Sequence, residues 1–294
     1  MFLLGNLEGC SVGCFHHPVT MSIERLYDAV HRTIFAALEA TDPVSKVDLK
    51  LLSCSLRPIT SRRMVGYLER YVQRRKEAID LLVREGILHS ERVIRAMSLV
   101  PREEFLPEEV KEEAYIDAPL PIGYGQTTSA LHMTAMFCEY AELGLGERVL
   151  EIGGGCGYMS CVYAEVVAPS NQPKEKWGHV WSAEIIEGLA RFAQENVRRC
   201  GYSERVDILH RDASLGLEEY SPYDAIIVTS AAPEIPQELI GQLRIDGYLL
   251  IPVGGIYHYQ RLMRIRKDAE GHVCREELGG VAFVPMRGKA GWKE

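Results

Sequence analysis

The stretch Arg148-Val-Leu-Glu151-Ile-Gly153-Gly-Gly155-Cys-Gly157-Tyr158 decides the fold. Its first five residues read as a short buried strand, and Tyr158–Val167 reads as an apolar helix. The glycines between them let the main chain turn sharply and let a ligand approach the backbone. Working outward, strands are expected at Val180–Glu184, Val206–His210, Asp224–Thr229 and Tyr248–Val253, with helices at Ile186–Cys200 and Pro236–Leu243. Short apolar strands alternating with helices imply an α/β, doubly wound Rossmann-like fold with a mostly parallel sheet. Gln260–Arg266 and Gly280–Val284 have no helix between them, so the sheet is expected to end in an antiparallel hairpin.

Upstream, helices are expected over Ile23–Ala40, from Met64 to Arg84 with Gly86 as stop signal, from Ser90 as N-cap, and over Ala130–Leu143. Residues 115–129 carry so much proline and glycine that they read as a functional loop.

Composition narrows the function. The 294-residue chain has a formal charge of -8, which disfavours a partner whose phosphates must be neutralised. No apolar run is long enough to span a bilayer, and Met1–Cys10 lacks a signal-peptide pattern. Eight cysteines without framework spacing suit a reducing cytoplasm. Cys10, Cys14, His16 and His17 lack a second ligand pair at finger-like spacing, so no metal site is expected.

Three carboxylates stand at the ends of consecutive strands: Glu151, Glu184 and Asp212. Such positions line the ligand crevice of an open α/β sheet. Glu184 suits ribose hydroxyls, and Asp212 suits the adenine amino group. A dinucleotide fingerprint would read G-x-G-x-x-G and receive a pyrophosphate. Here the pattern is E-x-G-x-G-x-G, and Glu151 ahead of Gly153 and Gly155 would repel a pyrophosphate. It suits the cationic amino-acid end of S-adenosyl-L-methionine, so a methyltransferase is expected. Thr229-Ser-Ala-Ala-Pro233 carries neither an amine-methylating Asn/Asp-Pro-Pro-aromatic turn nor a Pro-Cys nucleophile. A carboxylate acceptor fits, because at a pKa of roughly 4 it is ionised at neutral pH and needs no general base.

Several blocks then occur in order: Val100-Pro-Arg-Glu-Glu-Phe-Leu-Pro107, Ala114-Tyr115, Pro119-Leu-Pro-Ile-Gly123, Gly125-Gln-Thr-Thr-Ser129, Tyr223–Pro236 and Val281-Ala-Phe-Val-Pro285. Together they resemble the protein-L-isoaspartate (D-aspartate) O-methyltransferase family from about Lys76 to the C-terminus. The resemblance implies methylation of L-isoaspartyl, and also D-aspartyl, carboxylates in damaged proteins. It implies that Ser129 holds the substrate carboxylate, that Thr127, Thr128, His132 and Ala213 lie at the ligand, and that Val281–Pro285 grips the substrate main chain. Departures from the pattern are Leu131, where proline is common, Ala213, where glycine is usual, and a long segment Pro169–Gly178. The expected division is a partly helical extension over 1–75, with Met64 as an alternative start, and a methyltransferase domain over 76–294. A cytoplasmic monomer acting on isoaspartyl proteins and peptides, without nucleic-acid or membrane partners, is expected. The rivals are a methyltransferase of another carboxylate or small molecule, and a non-catalytic cofactor-binding protein.

Overall fold

The computed structural model describes residues 62–256 and 259–293. The helix expected over Ile23–Ala40, the Cys10/Cys14/His16/His17 cluster and most of the 1–75 extension lie outside the described residues. Helix α1 (Arg62–Arg84) runs without interruption through positions 75 and 76. It ends as expected at Gly86, whose φ of +70° suits glycine. Paired bonds close the helix, from Gly86 N–H to the Val83 carbonyl and from Ile87 N–H to the Leu82 carbonyl. Arg75 ties α1 to the domain. It is buried, pairs with Glu103 at 3.0 Å and donates to the Ser98 carbonyl and the Tyr115 hydroxyl.

Helix α2 (Glu91–Leu99) buries Val93, Ile94 and Met97 as the helical spacing predicts. Ser90 occupies the N-cap position but does not cap; its hydroxyl donates instead to Glu139 of α3 (Leu131–Tyr140). The 115–129 segment is more ordered than its composition suggests. It folds into a hairpin of β1 (Leu120–Gly123) and β2 (Gln126–Thr128), with Thr127 opposite Pro121.

The main sheet has seven strands in the order β5-β4-β3-β6-β7-β8-β9. In chain order they are β3 (Arg148–Ile152), β4 (His179–Glu184), β5 (Val206–His210), β6 (Tyr223–Val228), β7 (Leu243–Gly254), β8 (Gln260–Lys267) and β9 (Val273–Val281). The first five are parallel, and β8 and β9 run antiparallel as expected. The last strand is Val273–Val281 rather than Gly280–Val284, because the chain leaves the sheet after Val281.

Helices α4 (Tyr158–Val167), α5 (Glu187–Arg199) and α6 (Gln237–Gly241) complete the layers. Every residue of β6 and of α4 is buried, which explains why both read as continuous apolar runs. Along each strand, side chains alternate between two cores. Val149, Ile227 and Leu250 join α1 to α5 on one face, whereas Leu150, Ile226 and Leu249 meet Leu239 and Ile240 of α6 on the other. Among the described residues, no helix is long and apolar enough to cross a membrane. The chain runs outward through β3, β4 and β5 and then returns to β6 beside β3. That reversal opens a crevice at the strands' carboxyl ends.

Candidate active site

The glycine turn forms where the sequence places it, and packing explains its composition. Gly153 has a φ of +100°, and a Cβ there would lie 2.4 Å from Thr229 Oγ1. The Thr229 hydroxyl donates to the Gly153 carbonyl at 2.6 Å and locks the turn to the end of β6. At Gly154 a Cβ would fall 2.4 Å from Ser182 Oγ. Gly153→Ala is therefore expected to destabilise the fold by about 2 kcal/mol or more, through a strained φ and a steric clash. Thermal unfolding of the ligand-free protein measures it.

The three strand-end carboxylates share one cleft with Thr127, Thr128, Ser129, Gly153, Gly155 and Ala213. Glu151 is buried and accepts from the hydroxyls of Ser160 and Ser182, the latter at 2.6 Å. Burial raises its carboxyl to about 7; the two hydroxyls pull the other way, and the nearby Glu184 carboxylate adds to the rise. Glu184 accepts from Gly155 N–H at 2.9 Å and from Ile186 N–H at 2.8 Å. Burial also raises Glu184, partly offset by those bonds. Asp212 accepts from Ser214 N–H and, through its other oxygen, from Lys289 N–H, both at 2.9 Å. The C-terminal segment thereby closes beside Asp212. Each carboxylate oxygen has two lone pairs, so the backbone bonds leave Glu184 and Asp212 able to accept from a ligand. Ala213 is buried and joins the apolar cluster of Leu217 and Met286.

Ser129 follows β2 and precedes Ala130, the N-cap of α3. Leu131 opens that helix, a position that also suits proline, and its side chain is buried in the core. Arg102, fully buried, donates from Nη2 to the Ser129 carbonyl at 2.7 Å and lies over the Tyr158 ring at 5.1 Å. No described protein group accepts from its Nε or Nη1. Replacing an incompletely paired buried cation by an apolar residue of similar length costs little stability or adds some. Arg102→Met is expected to keep the melting temperature but lower kcat by about tenfold, through loss of one charged hydrogen bond at Ser129. A steady-state assay beside a melting curve separates the two effects.

His132, expected at the cofactor, lines an adjoining cleft instead. Asp117 holds it there, accepting from the His132 main-chain N–H at 2.9 Å and facing Nδ1 at 2.9 Å. The two clefts share Thr127, Ser129, Thr229 and Val284. Val281–Pro285, the segment expected to grip the substrate main chain, also bonds within the protein. The Gln260 amide donates to the Phe283 carbonyl at 3.0 Å and accepts from Phe283 N–H at 2.6 Å. The Val284 carbonyl accepts from Ala231 N–H, and Pro285 bridges to Ala231. Ala282 remains exposed, bonded to neither Gln260 nor Ala231.

Sequence reading missed Arg102, Thr229 and Gln260. Arg102 sits inside the Val100–Pro107 block, and Thr229 opens the Thr229–Pro233 turn, so both were marked by position but not by role.

The family model for protein-L-isoaspartate(D-aspartate) O-methyltransferase matches residues 73–291. The chain belongs to the protein-L-isoaspartate(D-aspartate) O-methyltransferase family. A protein-L-isoaspartate O-methyltransferase of Hyperthermus butylicus is 49% identical over 226 residues, covering 77% of this chain and 93% of the relative. One from Staphylothermus marinus is 46% identical over 225 residues, covering 76% and 99%. A crystal structure of a candidate protein-L-isoaspartate O-methyltransferase from Plasmodium falciparum, solved with S-adenosyl-L-homocysteine, superposes with a TM-score of 0.62. It is 29% identical and covers 71% of this chain and 95% of that one. The departures at Leu131 and Ala213 thus stand within a family member whose glycine turn and strand-end acids are intact.

Proposed function

We propose that Ser129 holds the free carboxylate of an L-isoaspartyl residue towards the cofactor methyl group, while Glu151, Glu184 and Asp212 hold the cofactor. The enzyme transfers a methyl group from S-adenosyl-L-methionine to isoaspartyl carboxylates of damaged proteins and peptides, which initiates their repair. When bound, the cofactor supplies an electrophilic sulfonium methyl. The residues present fit it: Glu151 lines the cleft and would meet its cationic amino-acid end, Glu184 and Asp212 keep acceptor capacity, and a Cβ at Gly155 would meet only Ile122, at 3.2 Å. Thr127, Thr128, Gly153 and Ala213 complete the cofactor wall, and His132 serves the acceptor side.

The observation that carries these roles is the meeting of the two clefts at Ser129. A carboxylate anchored there stands between an acidic cofactor cleft and a second cleft for the rest of the acceptor. An anion attacking a cation needs no proton removed, so positioning and exclusion of water dominate. Buried Arg102 supports the Ser129 main chain, and Asp117 fixes the first turn of α3.

We assign the methyltransferase domain to 76–294 and an extension to 1–75, a division that falls within α1. D-Aspartyl residues are acceptors as well. The protein works as a cytoplasmic monomer without nucleic-acid or membrane partners. The net charge of -8 speaks against a nucleic-acid partner, and Cys138, Cys156, Cys161 and Cys200, free and buried, suit a reducing compartment. The test is repair itself. Incubation of an isoaspartyl peptide with excess cofactor, followed by chromatography, should show the normal aspartyl peptide accumulating as the methyl ester closes to succinimide and reopens. Accumulation of a stable ester on another carboxylate would instead favour the rival methyltransferase.

A further inference from the structure

The second cleft differs in character from the first. Beyond Ser129 its walls are mainly apolar, contributed by Pro119, Met133, Val281, Phe283 and Tyr259. Tyr259 immediately precedes β8 and is 68% exposed. It is nevertheless held against the opposite strand. A Cβ on Gly280 would lie 2.2 Å from the Tyr259 hydroxyl oxygen and 2.3 Å from two of its ring carbons, so the ring lies on main chain that only glycine leaves open. Neighbouring Gly279 has a φ of +139°, a conformation that L side chains rarely adopt, beside the break in β8–β9 register at Leu262/Met263. The next residue, Gln260, clamps both main-chain groups of Phe283, and the Phe283 ring packs edge-on against Phe137 at 5.5 Å. Two adjacent residues at the start of β8 thus set two aromatic rings in one cleft.

We propose that Tyr259, seated on Gly280, is a specificity-determining residue that accepts an apolar, preferably aromatic, side chain flanking the isoaspartyl residue. The inference rests on the reading of Ser129 as anchor of the acceptor carboxylate. The cleft is continuous with the cofactor cleft through Thr127, Ser129, Thr229 and Val284, so a peptide anchored at Ser129 lays its neighbouring residue here. A preorganised exposed ring gains from an apolar or aromatic partner, since ring pairs add to the free energy of simple burial. Acidic flanking residues are disfavoured, because the Asp117 carboxylate stands directly behind His132, which lines the cleft.

The test uses three isoaspartyl peptides alike except for one flanking residue: phenylalanine, glycine or glutamate. With the full-length protein, kcat/KM should favour phenylalanine over glycine by about fivefold, mainly through KM, with glutamate poorest. In Tyr259→Ala the phenylalanine-to-glycine ratio should fall to near one, and Gly280→Val, which displaces the ring without removing it, should do the same. Tyr259→Phe should keep the ratio. Calorimetric binding of S-adenosyl-L-homocysteine by each variant confirms that it is folded. Equal kcat/KM for the three peptides in the unsubstituted protein, or a ratio that survives Tyr259→Ala, would overturn this inference alone. Methylation of none of them would overturn the acceptor reading and this inference with it.

Discussion

Ser129→Ala is expected to lower kcat on an isoaspartyl peptide by about tenfold to a hundredfold while leaving cofactor affinity within twofold. The estimate is the loss of one hydrogen bond to a charged group. The substitution is clean for a structural reason. Arg102 grips the Ser129 carbonyl, not its hydroxyl, so the main chain stays in place in the variant. Ser129 is part-exposed where the two clefts meet, so no core packing is lost. An interaction that matters most as the methyl group is transferred should appear in kcat more than in the binding constant. Steady-state kinetics beside calorimetric titration with S-adenosyl-L-homocysteine gives both numbers. Unchanged kcat would remove Ser129 from the site.

The second large effect concerns Glu151. Its carboxyl, ordinarily near 4.5, is raised to about 7 by burial. A raised carboxyl is bound to its proton in the folded chain over a range where the unfolded chain has lost it. Stability without cofactor therefore falls as pH rises from 4.5 to 7 and then levels off, by about 3 kcal/mol in total for this group. Glu184 shifts in the same direction and adds to the slope. Cofactor binding should run the other way. On the proposed assignment an ionised Glu151 would pair with the cationic amino group, so affinity should rise with pH and reach a plateau above 7. Glu151→Gln imitates the protonated acid and keeps an acceptor for Ser160 and Ser182. It should match or exceed the native stability at pH 8 yet bind cofactor about tenfold to a hundredfold more weakly there, with the pH dependence flattened. Calorimetric titrations at pH 6, 7 and 8 on both proteins decide it. A native affinity that does not change with pH would separate Glu151 from the cofactor's amino group.

Legibility in the sequence followed burial. Strand β3 and helix α4 are legible to the residue because both are continuous apolar runs joined by glycines that packing requires. The β1–β2 hairpin is not. Its strands are four and three residues long and carry Pro121, Gly123 and Gly125, and such residues look like a loop unless their tertiary pairing is seen. Strand β9 was misplaced towards its end because Cys274-Arg-Glu-Glu277 is an exposed edge without alternation, whereas Val281–Val284 is apolar but belongs to the cleft. Strand β7 begins five residues earlier than expected, since Asp246 at a φ of +63° and Gly247 imitate a turn inside it.

The meeting of Glu151, Glu184 and Asp212 in one cleft is legible because all three stand at or near strand ends, and chemistry alone sets Glu151-x-Gly apart from a pyrophosphate loop. Ser129 was marked by resemblance rather than by physics, as a hydroxyl in a Gly-Thr-Ser run has many uses. The role of Arg102, within the Val100–Pro107 block, and that of Tyr259 are not legible in the sequence. One acts through a carbonyl 27 residues away in the chain, and the other lies on a glycine in a different strand.

The most direct measurement is transfer of labelled methyl from S-adenosyl-L-methionine to an isoaspartyl peptide beside its normal aspartyl twin. The isoaspartyl peptide should take up base-labile label while the twin stays at background. Equal labelling of the two, or none in either, would contradict the assignment.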